Sequence, residues 1–76
     1  MALTVQQIRK DVADVLGEDP ADIPDDENLA DYGLDSMRLM SLVERWRRDH
    51  GADISFVDLA ERPAIEAWTP LLGAQE

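Results

Sequence analysis

DYGLDSMRLMSLVERWRRDHG, residues 31–51, places Gly33 in an acidic stretch, follows it with Asp35 and Ser36, and closes on Gly51. Its apolar residues can be tested against a helix by angle. At ~100° per residue with Leu39 at zero, Leu39, Leu42, Val43, Trp46 and His50 fall within about 60° of one direction, whereas Met40 lies about 100° off and Met37 about 160° off. A helix over about residues 36–50 with one core face is predicted, and Met37 is expected to face solvent. Methionine is flexible and polarizable, suited to surfaces that accommodate partners. A single exposed methionine carries no message by itself.

Upstream, Thr4 followed by Gln7 is the pattern in which two side chains reciprocally satisfy the free amides of a helix start. Val5, Ile8, Val12, Val15 and Leu16 make one apolar face, and Gly17 stands where a left-handed terminator belongs, so a first helix is expected over about residues 5–16. From Glu18 to Asp35 the chain is acidic and broken by Pro20 and Pro24, with Ile23, Leu29, Tyr32 and Leu34 as anchors. This reads as a long structured loop between helices 1 and 2; connections beyond about 12–15 residues are uncommon in compact domains and usually functional.

Downstream, DISFVDLAERP reads as a short amphipathic turn or helix near residues 55–61 carrying Phe56, Leu59 and Ala60. Pro63 suits the start of a last helix whose apolar face is Ile65, Trp68, Leu71 and Leu72. Pro70 should kink or shorten it. Gln75 and Glu76 are expected to fray. The fold class is all-α: a small antiparallel four-helix bundle with a short third helix, no internal repeat and no strand.

At 76 residues the chain is expected to form one domain, near the lower limit for an unaided hydrophobic core. An enzymatic cleft would consume most of that core, which favours a binding or carrier module over an independent enzyme. Seventeen acidic against seven basic residues give a net charge of −10, unsuited to nucleic acid or anionic lipid and suited to basic protein partners. Residues 1–35 hold ten acidic and two basic residues, net −8, and residues 36–76 hold seven and five, net −2, so the field is concentrated ahead of the second helix. Cysteine is absent, so any thiol chemistry must be imported on a cofactor. Neither a membrane span nor a secretory segment is present, which makes a cytoplasmic monomer the expectation, and Met1 leans toward a free-standing chain.

Three arrangements bear on chemistry. A hydrolytic Ser36–His50 pair fails on geometry, because fourteen residues of one helix at ~1.5 Å rise separate them by roughly 21 Å, against about 3 Å for a nucleophile and its base. His50 instead suits a helix C-terminus. EDPADIPDDEN lacks the alternating ligands, central glycine and closing glutamate of a calcium loop, and reads as solvated negative surface. Ser36 has two readings. It suits a helix N-cap; equally, an oxygen at a helix N-terminus, beside free amides and the positive dipole end, is well placed to carry a phosphate diester.

The motif GLDS at residues 33–36 resembles that of the phosphopantetheine-dependent carrier proteins. With the Arg-Trp-Arg element at 45–47 and the Phe-Val-x-Leu-Ala element at 56–60 of ISFVDLAERPAIEAW, the chain looks most like the aryl carrier proteins of siderophore-type nonribosomal peptide assembly. That resemblance implies a four-helix bundle in which a separate phosphopantetheinyl transferase, using coenzyme A, attaches 4'-phosphopantetheine to Ser36. It further implies an adenylating enzyme that loads an aryl acid such as salicylate or 2,3-dihydroxybenzoate as a thioester, and a condensation or cyclization domain that removes it. Partners are then expected on the second and third helices at Met40, Phe56 and Ala60, with Met37 and Arg38 beside the arm. Asp35 either meets a basic group of the transferase or caps the helix; Arg45, Arg47 and Arg48 either pair with partners or form a solvated flank. Ala64, where such sequences often have threonine, and Pro70 depart from the pattern and leave the extent of the last helix open. The alternatives are a carrier for another acyl group, peptidyl or fatty, and an acidic helical adaptor that uses Ser36 only as a cap.

Overall fold

The computed structural model describes residues 3–74; the fraying expected of Gln75 and Glu76 lies outside the described residues. Four helices follow in order, α1 (Val5–Leu16), α2 (Ser36–His50), α3 (Phe56–Ala60) and α4 (Ile65–Leu71), with two short 3₁₀ turns, Pro20–Asp22 and Leu29–Tyr32, between α1 and α2. Both long helices begin and end where the pattern of caps and apolar residues places them.

Helix α1 starts on Thr4, whose Oγ1 accepts the Gln7 N–H at 3.0 Å. The expected reciprocal bond from Gln7 is not made, because the Gln7 amide side chain donates to Asp11 Oδ1 at 2.9 Å instead. Asp11, on the same helix, is buried. It accepts from Trp46 Nε1 at 2.8 Å and from Arg45 Nη1 at 3.4 Å, so the carboxylate leaves water with its charge and lone pairs matched. Trp46 packs edge-on against Trp68 of α4, ring centroids 5.8 Å apart at 72°. Together with Ile8, Val12, Leu29, Leu42, Leu59 and Ile65, the two indoles form a fully buried centre shared by all four helices and the long loop.

The loop is ordered by short-range caps and long-range ties. Asp19 and Asn28 cap the two 3₁₀ turns through the Ala21 and Ala30 amides, each at 2.9 Å. Ile23, Leu29 and Leu34 enter the core as expected. Tyr32 does not: it is only half-buried, because its hydroxyl turns outward to donate to Glu27 Oε2. That bond raises the phenol above its ordinary pKa. Arg9 of α1 pairs with Asp25, and the Leu29 N–H donates to the Pro63 carbonyl at 2.8 Å.

Pro63 therefore lies outside α4 rather than at its start, its carbonyl committed to the loop. Ala64 supplies no side-chain cap. Its place is taken by the Asp25 carbonyl, which accepts the Glu66 N–H at 2.9 Å and satisfies one of the free amides of the helix start. Pro70 is the penultimate residue of α4, which stops one residue later at Leu71. In so short a helix the core face needs only Ile65 and Trp68, and Leu71, expected on that face, is 49% exposed.

Candidate functional site

The second 3₁₀ turn ends on Gly33 at φ 101°, a backbone conformation that an L side chain would strain. The Leu34 N–H then closes on the Leu29 carbonyl at 3.1 Å while the Leu34 side chain is drawn into the core. This reversal delivers Asp35 in extended conformation to the head of α2. Asp35 Oδ1 accepts the Arg38 N–H at 2.9 Å, so Asp35, not Ser36, is the N-cap. Ser36 is the first helical residue, exposed, and His50 the last, at the far end of the same helix.

Of the six hydroxyl-bearing side chains in the sequence, four are committed. Thr4 caps α1, Ser55 and Asp58 form a capping box on α3, Thr69 donates to the Ile65 carbonyl, and Tyr32 donates to Glu27. Ser36 and Ser41 remain exposed on α2. Five residues of helix turn Ser41 about 140° away from Ser36, and Ser36 alone of the two lines a groove of ≈ 210 Å³ with Leu34, Leu39, Phe56, Ala60 and Pro63. The groove is smaller than the ~300–1,000 Å³ of an ordinary small-molecule site. Its volume suits a surface cleft beside an attachment point rather than a reaction chamber.

The other expected site residues divide. Met37 is 82% and Met40 44% exposed, in line with their angles on the helix. Phe56 is half-buried and Ala60 exposed at the edge of the groove. Val57, not among the expected contact residues, is 61% exposed; it stands two residues, about 200°, from buried Leu59, a signal the helical angle contains. Arg38 is exposed, and its guanidinium is engaged within the chain. Its guanidinium donates to the Val15 carbonyl at 3.1 Å, to the Gly33 carbonyl at 3.0 Å and to Asp35 Oδ2 at 3.2 Å. Asp35 in turn spends both carboxylate oxygens inside the chain.

Arg45 is likewise engaged within the chain, bonded to Asp14 at 3.0 Å and to Asp11, and these partners, Asp14 first, raise its pKa above the ordinary guanidinium value. Arg48 pairs with neighbouring Asp49 at 3.1 Å on the exposed flank.

An exposed serine at a helix mouth, freed from capping by its neighbour and set beside an apolar groove, has the form of an attachment site. The family model described as "phosphopantetheine attachment site" matches residues 6–71. The chain belongs to that family. The carrier is 58% identical over 69 residues to the isochorismatase of Bacillus subtilis (strain 168), covering 91% of the carrier and 22% of that protein. To enterobactin synthase component B of Escherichia coli (strain K12) it is 57% identical over 58 residues, 75% of the carrier and 20% of the relative. To the acyl carrier protein ScoB of Streptomyces coeruleorubidus it is 42% identical over 74 residues, 97% and 86% of the two chains.

The carrier thus spans about a fifth of the first two relatives and most of the third. Membership sets aside the adaptor without a prosthetic group: 4'-phosphopantetheine is the carrier's cofactor. The arm supplies a terminal thiol, which a chain without cysteine cannot.

Proposed function

We propose that Ser36 is the residue that receives the arm and that the loaded carrier bears an aryl acid of the salicylate or 2,3-dihydroxybenzoate type. The observation that carries the reading is the division of labour at the head of α2, where Asp35 caps the helix and Ser36 stays exposed. In the attachment reaction the Ser36 Oγ attacks the β-phosphorus of coenzyme A. The pyrophosphate bond breaks, adenosine 3',5'-bisphosphate leaves, and the hydroxyl proton passes to a base of the transferase. The product diester lies at the positive end of the α2 dipole.

The aryl cargo is supported by the resemblance of the GLDS, Arg-Trp-Arg and Phe-Val-x-Leu-Ala elements to aryl carriers. It is supported as well by identities of 58% and 57% to an isochorismatase and an enterobactin synthase component, against 42% to an acyl carrier protein. The partners in this reading are a phosphopantetheinyl transferase, an aryl-acid adenylating enzyme and a condensation or cyclization domain of a nonribosomal peptide synthetase. A carrier of another acyl group is the second reading, favoured by the near full-length relation to ScoB. Incubating the phosphopantetheinylated carrier with adenylating enzymes and radiolabelled acids separates the two. Label from salicylate or 2,3-dihydroxybenzoate is expected on the protein, and label from amino acids alone overturns the aryl assignment.

Docking of the loading enzyme and of the acceptor domain is assigned to Met40, Phe56 and Ala60, with Met37 at the edge. Met40→Asp and Phe56→Asp should each leave arm attachment intact and slow loading or transfer about 30-fold, the equivalent of ~2 kcal/mol for a central apolar contact. Phe56 is partly packed against the core, so urea unfolding of both variants belongs beside the kinetics. Wild-type rates in both steps would remove these residues from the interface.

A further inference from the structure

We propose that Arg38 is a positioning residue for the attachment reaction, a clasp that fixes the Gly33–Ser36 backbone so that Ser36 is presented in one geometry; this rests on Ser36 being the residue that takes the arm. The inference starts from the end of α1. Of its last four carbonyls, those of Ala13 and Asp14 accept the Gly17 and Glu18 amides. Val15 O is taken by Arg38 Nε, from a residue twenty-three positions further along the chain. The same guanidinium holds Gly33 O, on the positive-φ glycine before the serine, and Asp35 Oδ2, on the residue adjoining it. Arg38 thus joins three segments: the C-terminal turn of α1, the end of the long loop and the cap of α2.

Only a planar, delocalised fork does this. Arginine presents five N–H donors in fixed directions, whereas lysine is a point charge on a flexible stem and does not span separated acceptors with one geometry. Arg38 also neutralises the Asp35 carboxylate beside the oxygen that gains a phosphodiester charge, which lowers the repulsion attachment must meet. Without the clasp, the reversal at Gly33 keeps the 3₁₀ turn, the Leu34 N–H bond to the Leu29 carbonyl, the buried Leu34 side chain and the Asp35 cap, but loses its tie to α1 and the bond to the Gly33 carbonyl. The segment then divides among conformers of which a transferase recognises one, and its apparent affinity falls in proportion to that fraction.

The test is steady-state transfer from coenzyme A by a broad-specificity transferase to the full chain, wild type, Arg38→Gln and Arg38→Lys, with backbone amide exchange on the same proteins. A competent fraction near one-tenth predicts a KM for the carrier raised about tenfold at unchanged kcat in Arg38→Gln, and nearly as much in Arg38→Lys. Exchange at the Leu34, Arg38 and Leu39 amides should accelerate about tenfold, while the buried amides of α2 stay protected.

KM values within about twofold of wild type in both variants overturn the clasp. So does Arg38→Lys restoring the wild-type KM that Arg38→Gln loses, since charge alone would then suffice, and so does a fall confined to kcat. Failure of the underlying reading looks different: either the wild type gains no phosphopantetheinyl mass or Ser36→Ala gains it.

Discussion

Ser36→Ala remains folded and gains no phosphopantetheinyl mass on incubation with coenzyme A and a broad-specificity transferase, whereas the wild type and Ser41→Ala each gain one arm. The loss is complete because no second exposed hydroxyl stands at a helix mouth beside the groove; Thr4, Ser55, Thr69 and Tyr32 are spent on hydrogen bonds within the fold. Stability stays put for a separate reason. Asp35 supplies the cap oxygen, and alanine at the first helical position keeps the helical backbone. The expected change is within about 0.5 kcal/mol, as for an exposed residue with no structural task, or a few degrees in Tm for a domain of this size.

Asp35→Ala is the informative contrast. Losing the cap costs about 1 kcal/mol and frees one of the three acceptors of Arg38, so attachment slows without being abolished. Intact mass read beside thermal unfolding decides the matter: an arm that survives Ser36→Ala transfers the assignment to Ser41.

What the linear pattern contained and what it did not follow from the range of each interaction. The bounds of α1 and α2 were legible because caps and apolar periodicity are local: Thr4 with Gly17, and Asp35 with Gly51, bracket stretches whose every third or fourth residue is apolar. The exposure of Met37 came from the same helical angle. The partners of the arginines did not, since Arg38 reaches back 23 residues to Val15, and Arg45 reaches 34 and 31 residues to Asp11 and Asp14. An arginine on an amphipathic helix looks the same in sequence whether it meets solvent, a partner or its own fold.

Asp11 was the most concealed of these. It sits three residues after Ile8 and one before Val12, on the apolar side of α1, and the indole of Trp46 and the guanidinium of Arg45, 35 and 34 residues on, explain a carboxylate there. Having placed it inside, the fold also diverts Gln7 from the reciprocal cap that local pattern favours. Tyr32 and Pro63 were misplaced for a related reason: each belongs to a loop whose course is set by Asp25, Leu29 and Glu27, and none of those ties has a periodic signature. The site was read more completely than its supports, because the GLDS stretch is contiguous while the groups that hold it come from three separate segments.

Trp68→Ala should unfold the carrier or bring it close to unfolding, and Trp68→Phe should show which part of the fold depends on the indole nitrogen. Trp68 is fully buried and stacks edge-on against Trp46. Deleting such a ring costs about 3–5 kcal/mol, a large part of the stability of a small domain at ~0.05–0.15 kcal/mol per residue. Its Nε1 also donates to the Leu59 carbonyl at 2.9 Å, one of the free carbonyls at the end of α3. Five residues are far too few for a helix to persist on its own. α3 therefore depends on its Ser55–Asp58 capping box, the buried Leu59 and this one bond from α4.

Phenylalanine keeps most of the ring but strands that buried carbonyl, at a cost of about 1–3 kcal/mol. The expected result is a Trp68→Phe protein still folded in α1 and α2, with faster amide exchange at Leu59–Glu61, normal arm attachment at the head of α2, and impaired transfer from the face formed by Phe56 and Ala60. Urea unfolding and amide exchange of both variants check it. A Trp68→Phe protein as stable as wild type, with the α3 amides equally protected, would show that Leu59 burial and the capping box hold α3 without help from α4.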